Sequence, residues 1–230
     1  MKTGYGIGTR GLQWLLGCCV LLLAGIAQAQ PERTAQATPT ATRTVLVMGD
    51  SLSAAYGLRT EQGWVALTAE RIARDYPGWR VVNASISGET SAGGAARIVD
   101  EVLHHRPAVV VIALGANDAL RGLPLRELRR NLGYMVGASQ FVGAEVLLVG
   151  MRMPPNLGAD YTRGFEHSYR ALAELFDLAL LPFLLEPVAR ERISFQQDNL
   201  HPTAAVQPAL RDHVWPQLSR LIRVRQAAGS

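Results

Sequence analysis

Cysteine stops at residue 19 of this chain. Cys18 and Cys19 are its two cysteines, and both fall within the first thirty residues. A chain that loses that stretch keeps no disulfide, no thiolate nucleophile and no thiolate ligand for a metal. Lysine stops sooner: Lys2 is the last, and every later side-chain cation is an arginine. A phosphate-cradling G-x-x-x-x-G-K-S/T loop is therefore excluded. The G-x-G-x-x-G turn of a dinucleotide cradle is also missing after the first strand pattern. So is a G-x-S-x-G elbow around Ser51.

Excess charge is scarce too. The full chain is +4, from 23 basic and 19 acidic residues, and without Lys2 and Arg10 the balance is 21 against 19. The densest cluster, RELRR at 126–130, contains an acid and lies in a helical pattern, so it reads as a solvated face. No nucleic-acid footprint is visible. The pair His104–His105 lacks the spacing and nearby carboxylates of a good metal site, and no metal or other cofactor is expected.

What is present begins with a leader. Lys2 and Arg10 precede the uncharged apolar run LQWLLGCCVLLLAGIA, which ends in the small-x-small box AQA at 27–29. This is the pattern of a secretory signal peptide, expected to occupy residues 1–29. The run is short for a membrane anchor. A lipoprotein reading through Cys18 is weak, because the apolar core continues past it. Residues 30–43, rich in Thr, Ala and Pro, are expected to form a flexible lead-in. The mature protein is expected in the periplasm or outside the cell, with no membrane span.

From Thr44 onward strand and helix patterns alternate. TVLVMG at 44–49, WRVVNAS at 79–85, AVVVIALG at 108–115, AEVLLVGM at 144–151 and LALLPFL at 178–184 read as strands, and Pro182 places the last at an edge or marks its end. Between them, apolar residues recur at helical spacing over 62–76 and 93–105, and around Leu128, Tyr169 and Val214. Pro216 is expected to kink the last helix. The alternation predicts βαβ units and a mostly parallel sheet in one domain over residues 44–225.

Sites in such folds lie beyond the carboxyl ends of the strands. Ser51 follows the first strand in GDS; Gly88 lies in the loop after the second; Asn117 and Asp118 follow the third in LGAND. Late in the chain, Asp198 precedes His201 in QQDNLHP. A serine needs a base in contact, and the base needs an orienting acid. Of five histidines, only His201 sits in a polar loop beside an acid. Ser51, His201 and Asp198 can thus fill those roles, with the N–H groups of Ser51 and Gly88 and the Asn117 amide as oxyanion donors. Each piece also has a plainer reading. GDS and GAND can be ordinary turns, Asp198 or Asn199 can cap a helix starting near His201 or Thr203, and Asp50 can shape a loop.

These blocks together resemble the SGNH, or GDSL, hydrolases: Ser51 in GDSLS, Gly88 in ISGETS, Asn117 in LGAND and His201 in DNLHP. The resemblance runs from about Thr44 to Trp215. The stretches GDSLSAAYGL, SISGETSAGG, LGANDALRGLP, MRMPPNLGADY and LLPFLLEPVA are most similar to the periplasmic thioesterase I/protease I/lysophospholipase L1 group and its neighbouring arylesterases. The resemblance implies a three-layer α/β/α flavodoxin-like fold with a mostly parallel five-stranded sheet. It implies a serine esterase acting on carboxylic esters, acyl thioesters and lysophospholipids as a monomer without metal. It makes Ser51 the nucleophile, His201 the base, Asp198 its orienter, and Gly88 and Asn117 the oxyanion donors. It sets Leu52, Arg152 and Pro155 along the acyl groove. A carbohydrate O-deacetylase of the same fold, which would want a polar cleft, and a non-catalytic periplasmic binding protein are the competing readings.

Overall fold

Five strands form one parallel sheet in the order β2-β1-β3-β4-β5: β1 (Arg43–Gly49), β2 (Trp79–Asn83), β3 (Val109–Ala113), β4 (Glu145–Val149) and β5 (Ala179–Leu181). This is a computed structural model, and it describes Met1, Thr3 and residues 42–228. The expected leader and lead-in lie outside the described residues, apart from the isolated Met1 and Thr3 and the last two residues of the lead-in. Among the described residues no helix is long and apolar enough to cross a membrane.

The helices are α1 (Trp64–Asp75), α2 (Ser91–His105), α3 (Ala116–Leu120), α4 (Leu125–Phe141), α5 (Ala159–Phe176) and α6 (Gln207–Ala227). Strand side chains alternate between faces, so the continuous apolar strands feed two cores. Val45, Val47, Val109 and Val111 face α1 and α6, meeting Trp64, Ile72, Val214 and Leu218. Leu46, Met48, Val110 and Ile112 face α2, α4 and α5, meeting Ile98, Leu132, Met135 and Phe165. The result is the expected three-layer α/β/α sandwich.

α6 is continuous from Gln207 to Ala227 with Pro216 inside it. Two local expectations change. β5 lies at the sheet edge with Pro182 just past its end, as expected, but it is three residues long and stops at Leu181, since Pro182 has no N–H to extend the ladder. The stretch after β3 is not a simple turn, since Ala116–Leu120 coil into the short helix α3. One further point concerns His105: Glu101, one turn earlier on α2, stands 3.4 Å from its Nε2, so the pair does have a carboxylate beside it. Among the described residues no three His, Cys, Asp or Glu side chains gather as metal ligands.

The strand order reverses between β1 and β3, and the crevice of such a sheet opens there. Ser51 leaves the end of β1 and Asn117 stands on α3 just beyond β3, so both flank the switch point.

Candidate active site

Ser51 is presented by a tight turn. The N–H groups of Ser53 and Ala54 both donate to Asp50 O, and Tyr56 N–H donates to Ser51 O. The turn folds back over Gly49, where an added Cβ would stand 2.6 Å from Ser53 Oγ, so only glycine fits before the acid. Asp50 is buried, and its Oδ1 accepts from Leu52 N–H at 3.0 Å. Burial pushes its carboxyl up to about 6, against the pull of the Leu52 N–H and of His201.

His201 comes from a hairpin-like loop. Phe195 and Pro202 pair across it, Gln196 N–H donates to His201 O at 2.8 Å, and Asn199 N–H donates to Gln196 O. Asn199 turns the chain with φ +60°, a conformation Asn tolerates. Asp198 does not cap a helix. Its Oδ1 accepts the N–H groups of Leu200 and His201 at 2.9 and 3.0 Å. Its Oδ2 lies 2.6 Å from His201 Nδ1. The Leu200 N–H, then the imidazole and the His201 N–H, hold the Asp198 carboxyl down at about 2. On the other side of the ring, His201 Nε2 stands 2.8 Å from Ser51 Oγ. The three sequence-predicted residues thus form one unbroken hydrogen-bonded chain.

Gly88 sits in the loop after β2 with φ +80°, a conformation that favours glycine. The N–H groups of Ser51 and Gly88 have no acceptor among the described residues. Asn117 Nδ2 donates to Glu89 O at 3.0 Å and lies 3.4 Å from Asp50 Oδ2, longer than a normal bond. Asp118 is buried and accepts the N–H and Oγ–H of Ser91 at 2.7 and 2.5 Å, while Asn131 Nδ2 donates to Ser91 Oγ. Ser91 is itself fully buried at the start of α2, so this network joins α2, α3 and α4 behind the cleft.

The cleft at Ser51 has a volume of about 340 Å³. Ser51, Asn117 and His201 line its polar end. Leu52, Leu120, Met151, Met153, Phe183, Leu185, Phe195 and Leu200 give it apolar walls. Arg152 lines it as well, its guanidinium 5.3 Å from the centre of the Phe183 ring and within 3.6 and 3.7 Å of Glu166 and Glu186. Pro155 opens the turn Pro155–Leu157, and its side chain lies outside what the structure describes.

Several residues at the site had no motif to announce them. The Tyr56 ring lies 4.5 Å from the His201 ring, centre to centre, tilted by 38°. Gln196 Nε2 donates to Tyr56 O and to Pro202 O. Gln207 accepts from Trp64 N–H and donates to Pro202 O, while Trp64 Nε1 donates to Leu52 O. The serine turn and the histidine loop are therefore stitched together by side chains distant in sequence.

Residues 47–207 match the GDSL-like Lipase/Acylhydrolase family. The chain belongs to that family. It is 46% identical over 208 residues to Esterase TesA of Pseudomonas aeruginosa, covering 90% of this chain and 98% of the relative. It is 37% identical over 183 residues to thioesterase 1/protease 1/lysophospholipase L1 of Escherichia coli, covering 78% and 85%. A crystal structure of TesA superposes with a TM-score of 0.75 at 49% identity, covering 78% of this chain and 99% of that one. As a member of the GDSL-like family, the protein is a serine ester hydrolase.

Proposed function

We propose that Ser51 is the nucleophile of this hydrolase, that His201 is its base and then its acid, and that Asp198 orients the imidazole. The observation that carries this reading is the continuous chain Asp198 Oδ2–His201 Nδ1 at 2.6 Å and His201 Nε2–Ser51 Oγ at 2.8 Å, opening onto an apolar cleft. Both contacts fall within the reach that proton transfer needs.

The reaction follows from those contacts. Ser51 Oγ attacks the carbonyl carbon as its proton passes to His201 Nε2. The ionised Asp198 stabilises the imidazolium that forms. Negative charge collects on the former carbonyl oxygen, where the N–H groups of Ser51 and Gly88 and one N–H of Asn117 can converge. The first two have no acceptor among the described residues, so no bond to those residues must break for them to act. His201 then gives its proton to the departing oxygen or sulfur, leaving an acyl-serine. A water, deprotonated by His201, attacks that ester and frees Ser51.

The substrate reading is an aliphatic acyl ester or acyl thioester. Leu52, Leu120, Met151, Phe183 and Leu185 offer hydrocarbon walls for the acyl chain. The named activities of the relatives, esterase and thioesterase/lysophospholipase, support the same class. A carbohydrate O-deacetylase would want polar walls, whereas beyond the catalytic end this cleft is lined mostly by apolar side chains, Arg152 and Asn199 apart. The leader pattern supports export, with the mature chain acting in the periplasm or outside the cell.

The test is a substrate panel on purified protein: p-nitrophenyl esters from acetyl to palmitoyl, acyl-CoA, a lysophospholipid and an acetylated oligosaccharide. The expected result is hydrolysis of the aliphatic esters and thioesters, with kcat/KM rising once the chain is long enough to fill the cleft. Activity confined to the acetylated sugar would overturn the substrate reading.

A further inference from the structure

We propose that Glu89 and Arg97 form a positioning clasp for the oxyanion donors, one that acts on the rate rather than on substrate binding. The inference rests on the reading of Gly88 N–H and Asn117 Nδ2 as those donors.

No side chain fills the space beside the Gly88 Cα. A Cβ placed there would meet no atom within 4 Å. Its N–H direction must therefore be fixed by its neighbours in the chain. Arg97, on the first turns of α2, grips that segment at both ends. Its Nε and Nη2 donate to the two carboxylate oxygens of Glu89 at 2.8 and 2.6 Å. The same Nη2 donates to Ala84 O at 2.5 Å. One planar guanidinium thus spans the loop from the residue after β2 to the residue after Gly88. A bidentate fork supplies an angular constraint that a point charge does not.

Glu89 then ties the second donor to the first. Its carbonyl accepts from Asn117 Nδ2 at 3.0 Å, so one residue sets both the Gly88 peptide and the Asn117 amide. Arg121 Nη2 holds Gly88 O from the solvent side at 2.9 Å. Stability is a poor reason for such a pair. The Glu89 side chain is 7% exposed and that of Arg97 20%, and the cost of desolvating two half-buried charges offsets part of their attraction. Fixed geometry is what the arrangement supplies, and at a reacting centre a misplacement of about 1 Å costs on the order of 10²-fold in rate.

Glu101 provides an internal control. It pairs with the same guanidinium, through Nη1 at 2.7 Å, and its other ion-pair partner among the described residues is His105, not a residue of the Gly88 segment. The experiment compares Glu89→Gln, Arg97→Lys and Glu101→Gln for kcat, KM, Tm and affinity for an alkyl trifluoromethyl ketone, whose adduct with Ser51 carries an oxyanion. Glu89→Gln and Arg97→Lys should each lose about 10–100-fold in kcat. KM should stay within about twofold, and ketone affinity should fall by the same factor as kcat/KM. Glu101→Gln should lower Tm comparably with kcat and ketone affinity intact. If Glu89→Gln does not fold, Glu89→Asp withdraws the carboxylate by one methylene and should show the same kcat loss. Variants that lose Tm but keep kcat and ketone affinity would overturn the clasp. Asn117→Ala, measured alongside, separates the two levels. If it too keeps kcat, the oxyanion reading has failed. If it loses kcat while the clasp variants do not, only the clasp has failed.

Discussion

Gln196 and Tyr56, 140 residues apart in sequence, are joined by a 2.9 Å bond from the glutamine Nε2 to the tyrosine carbonyl. The same Nε2 reaches Pro202 O at 3.2 Å, so a single amide links the serine turn to the histidine loop. The link joins the two segments that carry Ser51 and His201, and the Tyr56 ring lies against the imidazole. Gln196→Ala should cost about 1–2 kcal/mol of stability, the ordinary worth of two hydrogen bonds. It should also lower kcat by roughly 10-fold with KM little changed, as the base drifts from its nucleophile. Steady-state kinetics beside a denaturant titration check this. Lost stability with kcat intact would mean that the loop is held by other contacts.

Asn117 separates an oxyanion role from a turn role. Removing one such donor typically costs about 10²–10³-fold in kcat, or roughly 3–4 kcal/mol. Asn117→Ala should lower kcat alike for short and long acyl chains with little effect on KM, and Asn117→Asp should be at least as poor. Kinetics on acetyl and octanoyl esters, paired with melting curves, give the answer. A variant that melts several degrees lower yet keeps near-wild-type kcat would assign Asn117 to α3 stability instead.

The positions of Ser51, Gly88 and Asn117 were legible because a parallel sheet leaves few places for a site. Residues just after its strands are the ones exposed at the crevice. Asp198 and His201 were legible because an acid three residues before a histidine can close on it through one turn. Tyr56, Gln196, Gln207 and the Glu89–Arg97 pair were not. They are common residue types whose partners lie across the fold, and no periodicity marks such a contact. α3 was hidden for a related reason. Five residues are too few to show a helical repeat, and this short helix is held in place from outside itself, through the buried bonds between Asp118 and Ser91.

Two acids at the site should affect stability with opposite signs. Asp198 is held down from 3.8 to about 2, so its ionised form stabilises the fold above the unfolded value, and that contribution is lost as pH falls from 3.8 toward 2. Asp50 is pushed up from 3.8 to about 6, so the folded protein holds its proton more tightly, and the wild type loses stability as pH rises between those values. The Tm advantage of wild type over Asp198→Asn should therefore shrink on acidification below 3.8. The Tm of Asp50→Asn should gain on wild type as pH rises from 3.8 to about 6. Scanning calorimetry across the acid range measures both, and parallel curves for all three proteins would contradict the assignments.

Peptide mapping after labelling with a p-nitrophenyl alkylphosphonate reads the nucleophile itself. Attack by Ser51 Oγ displaces p-nitrophenolate and leaves a stable phosphonyl-serine, with His201 accepting the proton. The wild type should carry one adduct, on Ser51, in step with loss of activity. Ser51→Ala should carry none, and His201→Ala should label far more slowly. Both variants should lose about 10³-fold or more in kcat while remaining folded. An adduct on another serine, such as the buried Ser91, or a folded Ser51→Ala protein that still turns over ester at near the wild-type rate, would contradict catalysis by the Ser51–His201–Asp198 chain.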